Sequence, residues 1–249
     1  MKAKIVMAAV VGLALPLLAA QADAAELKVL ASTAVKTALE ALAPQFEKAT
    51  GNKVDVSFAP AATFKEKIEQ GTAFDAAILT TPIMDGLAGS GKIDAARTAI
   101  AHSGIGVAIR KGAAKPDIGT KDAFKQALLS AHSVGYTAAG ATGAYLKTLF
   151  DKLGMAEELK PRLKLLQGGV GEAVTNGEVE IGMTQISEIL PYPGAELAGP
   201  LPPEIQSYTY FSAAVSPASK ESDAAKAFIK FLTSADALAV IKAKGMEPG

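Results

Sequence analysis

The sequence predicts an α/β fold with a parallel sheet and crossover helices. Three observations carry this. Short apolar runs alternate with helical patterns from Leu27 onward; glycine and proline stand where those patterns stop and start; and no repeat, charge block or low-complexity linker interrupts the 249 residues. That rhythm, β-α-β-α-β-α, is the signature of strands joined by crossover helices.

The elements come in order. Leu27 to Leu30 form an apolar run, and Val35, Ala38, Leu39, Leu42 and Phe46 then fall at helical spacing, with Gly51 as the stop. Val54, Val56 and Phe58 alternate as a strand does. A helix is expected from about Thr63 to Gln70, a buried strand over 75–79, and a helix opened by Pro82, because proline is tolerated in a first turn. Residues 104–110 read as a strand, 121–131 as a helix capped by Thr120, and 133–136 as a strand. Residues 142–154 read as a helix with Thr142 as its cap and Gly154 as its stop. A short strand is expected at 180–184. The stretch 190–205, with five prolines, reads as irregular connection. Residues 208–215 return to strand, and 221–243 give one or two terminal helices.

The first residues stand apart. Lys2 and Lys4 precede an apolar run from Ile5 to Leu18, and small residues surround Asp23, which reads as a secretory leader, residues 1–24, cut after Ala24. The apolar run is shorter than the ~20 residues of a membrane span. Removing Lys2, Lys4 and Asp23 turns the balance of 25 basic and 25 acidic residues into a net charge of −1. Such a balance gives no electrostatic case for nucleic acid or a membrane surface. The chain has no cysteine, hence no disulfide, no thiolate nucleophile and no thiol for a lipid anchor. These features point to a freely soluble periplasmic protein.

Open parallel sheets bind ligands beyond the carboxyl ends of their strands. At those ends this sequence places Ser32-Thr33, Thr63, Thr80-Thr81, Thr137 with Thr142, and Thr184-Gln185. A helix start leaves backbone N–H groups unpaired and carries partial positive charge. Three residues after Thr33 stands Lys36, which cannot close those donors as a Glu or Gln would. Any one such junction is most simply a plain cap. Five in a row favour a cleft for a small anion.

Other candidates have ordinary readings beside the functional one. Among three arginines, Arg110 ends a strand, where it either reaches a cleft or is a solvated charge before Lys111. His102 and His132 read as hinge or surface residues in preference to catalysts. Glu172, after a glycine-rich turn, and Glu188, one helical turn past Gln185, are each a conceivable base, with helix surface the preferred reading. Tyr145 reads as core in preference to a stacking platform. No metal-ligand spacing occurs, and neither a metal nor a cofactor is expected.

The stretches "LKVLASTAVKTALEALAPQFEKATGNKVDVSFAP", "IEQGTAFDAAILTTPIMDGL" and "GATGAYLKTLFDKLG" resemble the type 2 periplasmic solute-binding proteins of the molybdate-binding group. The resemblance runs nearly end to end. It implies two α/β lobes, each a mostly parallel sheet flanked by helices, with the ligand cleft between them. Lobe I would comprise 26–103 plus 209–249 and lobe II 104–208, closing on an anion for delivery to an ABC permease by a monomeric protein. The junction residues expected to donate are Ser32, Thr33, Thr63, Thr80, Thr142 and Gln185, with Arg110 a further candidate. Where molybdate binders use serines this chain has Ala34 and Ala61, and Gln185 replaces their late tyrosine. Each lost buried donor would cost on the order of 1–3 kcal/mol, so the resemblance carries the scaffold better than it carries molybdate. A narrower similarity, in "SGIGVAIRKGAAKPDI", "ISEILPYPG", "GPLPPEIQ" and "GMEPG", points to a side branch that includes periplasmic proteins with aconitate isomerase activity. The expected function is capture of a small anion, an oxyanion or a carboxylate; the alternative is cofactor-free isomerisation of aconitate.

Overall fold

The computed structural model describes residues 24–167 and 169–249. The expected leader lies outside the described residues but for Ala24. Among the described residues no helix is long and apolar enough to cross a membrane.

The first strand, β1 (Glu26–Ser32), runs into a 3-10 turn (Thr33–Val35) and α1 (Lys36–Thr50). Gly51 ends α1 with φ 79, a left-handed cap that glycine takes without strain. β2 (Lys53–Ala59), α2 (Ala61–Glu69), β3 (Ala76–Thr80) and α3 (Thr81–Gly89) continue the alternation. The helical stripe Ala38, Leu39, Leu42 and Phe46 packs with Leu27, Val29 and Ile78 on one sheet face. Phe64, Ile68, Met84 and Leu87 cover the other with Leu30 and Leu79. β3 is buried along most of its length, as a strand covered on both faces must be.

β4 (Thr98–Arg110) is the long element, thirteen residues. The sequence shows only its second half, because Thr98–Ser103 lacks a continuous apolar run. α4 (Lys121–Ser130), β5 (Val134–Thr137), α5 (Gly140–Lys152), α6 (Ala156–Leu159), β6 (Leu163–Leu166), α7 (Val170–Asn176), β7 (Ile181–Gln185) and α8 (Ile186–Ile189) come after it. β6 and α7 are four and seven residues long, too short to show a period. Next come β8 (Ala195–Pro200), β9 (Tyr208–Val215), α9 (Ser222–Leu232), α10 (Ala235–Ala243) and a two-residue β10 (Glu247–Pro248). β8 corrects the expectation of irregular chain over 190–205. Its proline-free centre pairs with β4 while Pro200 only ends it, as a strand allows.

Strand order is β2-β1-β3-β9-β4-β7-β5-β6, with β8 and β10 paired to β4 off that path. β4 joins two sheets. Through Gly104 it pairs with β9, and from Ile105 onward with β7 and β8. At the change of partner the Gln206 side chain stands in for a strand. Its Oε1 accepts from the Ile105 N–H at 2.9 Å and its Nε2 donates to the Ile105 carbonyl at 3.0 Å. A second pair of apolar clusters, around Phe124, Leu146 and Phe150 and around Val170, Val174 and Ile189, covers the faces of the second sheet.

Candidate functional site

Strand direction determines where the carboxyl ends point. β1, β2 and β3 are parallel to one another and antiparallel to β9, which is antiparallel to β4. They therefore run in the direction of β4, toward the second sheet. β7 is antiparallel to β4, and β5 and β6 run with β7, so these three run toward the first sheet. Thr80 lines up through Phe211 with Ala101, whereas Gln185 lines up with Ile105. The two sets of ends thus face each other across four residues of β4, about 13 Å at ~3.3 Å per residue.

Each of these six ends leads to a helix start: the 3-10 turn and α1, then α2, α3, α5, α7 and α8. None has a hydrogen bond from its N-cap side chain. α1, α2, α3 and α5 also lack any acidic residue in the first turn. Elsewhere the chain compensates its helix starts. Thr120 Oγ1 accepts from the Ala123 N–H at 3.1 Å at α4, and Ser234 caps α10; α6 and α9 carry Glu157, Glu158 and Asp223 in their first turns. The facing starts of α1, α2, α3 and α5 therefore retain their positive ends, the condition for attracting an anion.

Ser32 is 5% exposed and ends β1 without a cap bond. Thr80 ends β3 and is half-buried. Gln185 ends β7, 7% exposed, and its Oε1 finds no protein partner; nor does the hydroxyl of neighbouring Ser187, 2% exposed. Ser32, Thr80 and Gln185 are brought to the facing ends.

Thr63 and Thr142 depart from their expected positions. Each is the third residue of its helix, not a cap, because α2 begins at Ala61 after Pro60 and α5 at Gly140 after Ala139. The Thr63 N–H is already bonded to the Pro60 carbonyl at 2.9 Å. α5 starts early because Gly143 lets it press on the preceding loop; a Cβ there would collide with the Thr137 and Ala138 carbonyls.

Arg110 is separated from the group. It pairs with Ala195 at the far end of β4, five residues beyond Ile105, with its guanidinium against Gly177. Carrying the strand through the second sheet takes Arg110 to the edge opposite the carboxyl ends. His132 is a surface residue with Nδ1 2.9 Å from Glu180, and Glu172 is exposed. His102 stacks on Tyr210 at 4.9 Å beside the crossing. The Tyr145 hydroxyl is committed to the Ile205 carbonyl at 2.8 Å.

Glu188, a conceivable base for which the sequence favours helix surface, has a position that the sequence does not show. It is half-buried on α8, which packs against the 3-10 turn of Thr33. Its carboxylate accepts from Thr184 Oγ1 at 2.5 Å, and the Gln185 backbone and the Thr33 hydroxyl lie near enough to pull its pKa down. Glu188 stands at the third helical position of α8, where a capping box places its acid. Hence a carboxylate of the protein itself stands at the start of α8 and beside Thr33, where the sequence leaves the Thr33 junction open. Burial pushes the Glu188 pKa up, and the three donors pull it part of the way back. The signal was present as a Glu three positions after the junction residue, masked because Gln185 is not a usual cap. Among the described residues no cluster of His, Cys, Asp or Glu has the makings of a metal site.

Residues 27–247 match the family described as bacterial extracellular solute-binding protein. The chain belongs to that family. As a member it acts outside the cytoplasm, on a two-lobe α/β scaffold of the type 2 periplasmic binding proteins. It is 34% identical to an aconitate isomerase of Pseudomonas over 94% of this chain and 91% of that protein. It is 31% identical to a molybdate-binding protein of Azotobacter vinelandii over 95% of each. Among solved structures, an Azotobacter vinelandii periplasmic molybdate-binding protein superposes with a TM-score of 0.74 at 20% identity, covering 90% of this chain and 99% of that one.

Proposed function

We propose that this family member captures a small anion between two lobes, 26–103 plus 209–249 and 104–208, that close by rotation about the β4 crossing. The observation that carries the reading is the set of facing helix starts, uncapped by hydroxyls and mostly without acids in their first turns. Ser32, Thr33, Thr63 and Thr80 would donate from one lobe, and Thr142 and Gln185 from the other. Ligand favours the closed state by its differential affinity for it. The protein would reach the periplasm through a cleaved leader, work as a monomer and deliver its ligand to an ABC permease.

A thermal-shift panel of molybdate, tungstate, sulfate, citrate and both aconitates tests this. Stabilisation by at least one is expected; no shift with any of them overturns the reading.

One observation favours a second reading, isomerisation of aconitate on the same scaffold. A site built only to hold anions gains nothing from a carboxylate among its donors, yet Glu188 stands there. The 34% identity to an aconitate isomerase agrees with it. Purified protein without added cofactor would then interconvert cis- and trans-aconitate; stoichiometric binding without turnover removes this reading and leaves the first.

A further inference from the structure

We propose that Glu188 is the base that carries a proton between two carbons of a bound unsaturated di- or tricarboxylate. This rests on the isomerase reading and gives it a residue.

Position is the first argument. Glu188 reaches from α8 to Thr33 of the other lobe, with Thr184 and Gln185 at its own helix start. A ligand held by Ser32 and Thr33 on one side and Gln185 on the other must lie against this carboxylate. Chemistry is the second. Glu188 has no Lys, Arg or His partner among the ion pairs of the described residues, so it neutralises nothing. The charged groups on elements packed against α8 lie elsewhere. Glu172 of α7 is exposed, Glu196 of β8 is bound to Lys115 and the Gly112 N–H, Arg110 is at the far end of β4, and His102 is stacked on Tyr210. Burial without a cation makes a carboxylate more basic, which suits it to take a proton from carbon.

The step balances with no co-reactant. A Glu188 oxygen takes the proton from the saturated carbon next to the double bond. The electron pair of that C–H bond spreads over the three-carbon allylic unit onto the oxygens of its conjugated carboxylate, where helix N–H groups and the Ser32 and Thr33 hydroxyls receive the charge. Glu188 then returns the proton to the far allylic carbon, the double bond moves one position, and the carboxylate is regenerated. When Thr33 turns its hydroxyl from Glu188 to the ligand, Glu188 loses one donor and becomes a stronger base.

The test uses the purified protein with trans-aconitate, followed by proton NMR, alongside Glu188→Gln and Glu188→Asp. Wild type should form cis-aconitate. Glu188→Gln should lose at least ~100-fold in kcat, the scale of general-base catalysis, while trans-aconitate still raises its Tm. Glu188→Asp should retain reduced turnover with the acid limb of its kcat/KM profile displaced. Turnover by Glu188→Gln within about threefold of wild type overturns the Glu188 assignment and leaves the isomerase reading standing. No turnover by wild type overturns both. If Glu188→Gln does not fold, an unchanged kcat and pH profile in Glu188→Asp overturns the assignment.

Discussion

Thr33 and Glu188 follow strands of opposite sheets and come together where α8 packs on the 3-10 turn, near enough for the Thr33 hydroxyl to pull down the Glu188 pKa. This packing joins the turn after β1 to the helix after β7, so the two sets of strand ends are in contact through it. A carboxylate there occupies donors that an anionic ligand would use. Ligand entry must therefore displace Glu188 or share its donors, which couples affinity to the protonation of this one side chain.

The pH dependence of stability should report on Glu188. Its folded pKa is raised above the ordinary 4.5, so the folded state holds this proton more tightly than the unfolded chain does. The stabilising contribution is complete below 4.5 and is lost as pH rises through the raised folded value. Chemical denaturation of wild type and Glu188→Gln across pH 4 to 8 should show wild type losing stability relative to the variant as pH rises. A constant difference across that range would contradict the assignment.

Ser32 and Thr120 make a matched pair of hydroxyls at helix starts. Thr120 caps α4 with a 3.1 Å bond, whereas Ser32 makes no cap bond. Thr120→Ala should lower stability by about 1 kcal/mol and leave ligand affinity unchanged. Ser32→Ala should leave the melting temperature of ligand-free protein nearly unchanged. It should weaken ligand by about 1–3 kcal/mol, roughly 5- to 150-fold in Kd. Calorimetric titration with whichever anion stabilises the wild type measures both.

Arg110 lies at the far end of β4 against Gly177. Arg110→Ala should leave Kd for that anion within about twofold, since an exposed charge beyond a screening length contributes little. A loss of tenfold or more would show that the guanidinium reaches the ligand.

Gly143 brings α5 against the Thr137 and Ala138 carbonyls, with no room for a Cβ. Gly143→Ala must displace the helix start from rigid backbone and should cost about 1–3 kcal/mol. Because that start faces the ligand, affinity should fall as well, measured by the same titration with urea unfolding beside it.

Much of the fold was legible because it is written in local periods. α1 shows itself through Leu39, Leu42 and Phe46, and Gly51 ends it where expected. β6 and α7 were not legible, being four and seven residues long with little amphipathic contrast. β8 was hidden by its flanking prolines, since edge pairing with β4 tolerates what a central strand would not. The junction hydroxyls Ser32 and Thr80 could be read directly. Glu188 could be named as a conceivable base but not placed, because it packs against a turn distant in sequence.

By itself the sequence determined the alternation of strands and helices and the uncharged donors at their junctions, since both depend on residues a few positions apart. Only the tertiary structure decided which junctions face each other, that Glu188 reaches Thr33, and that Arg110 stands outside the group. Those outcomes depend on the pairing of β4 with strands up to 115 residues away. No local period encodes the direction in which such strands run.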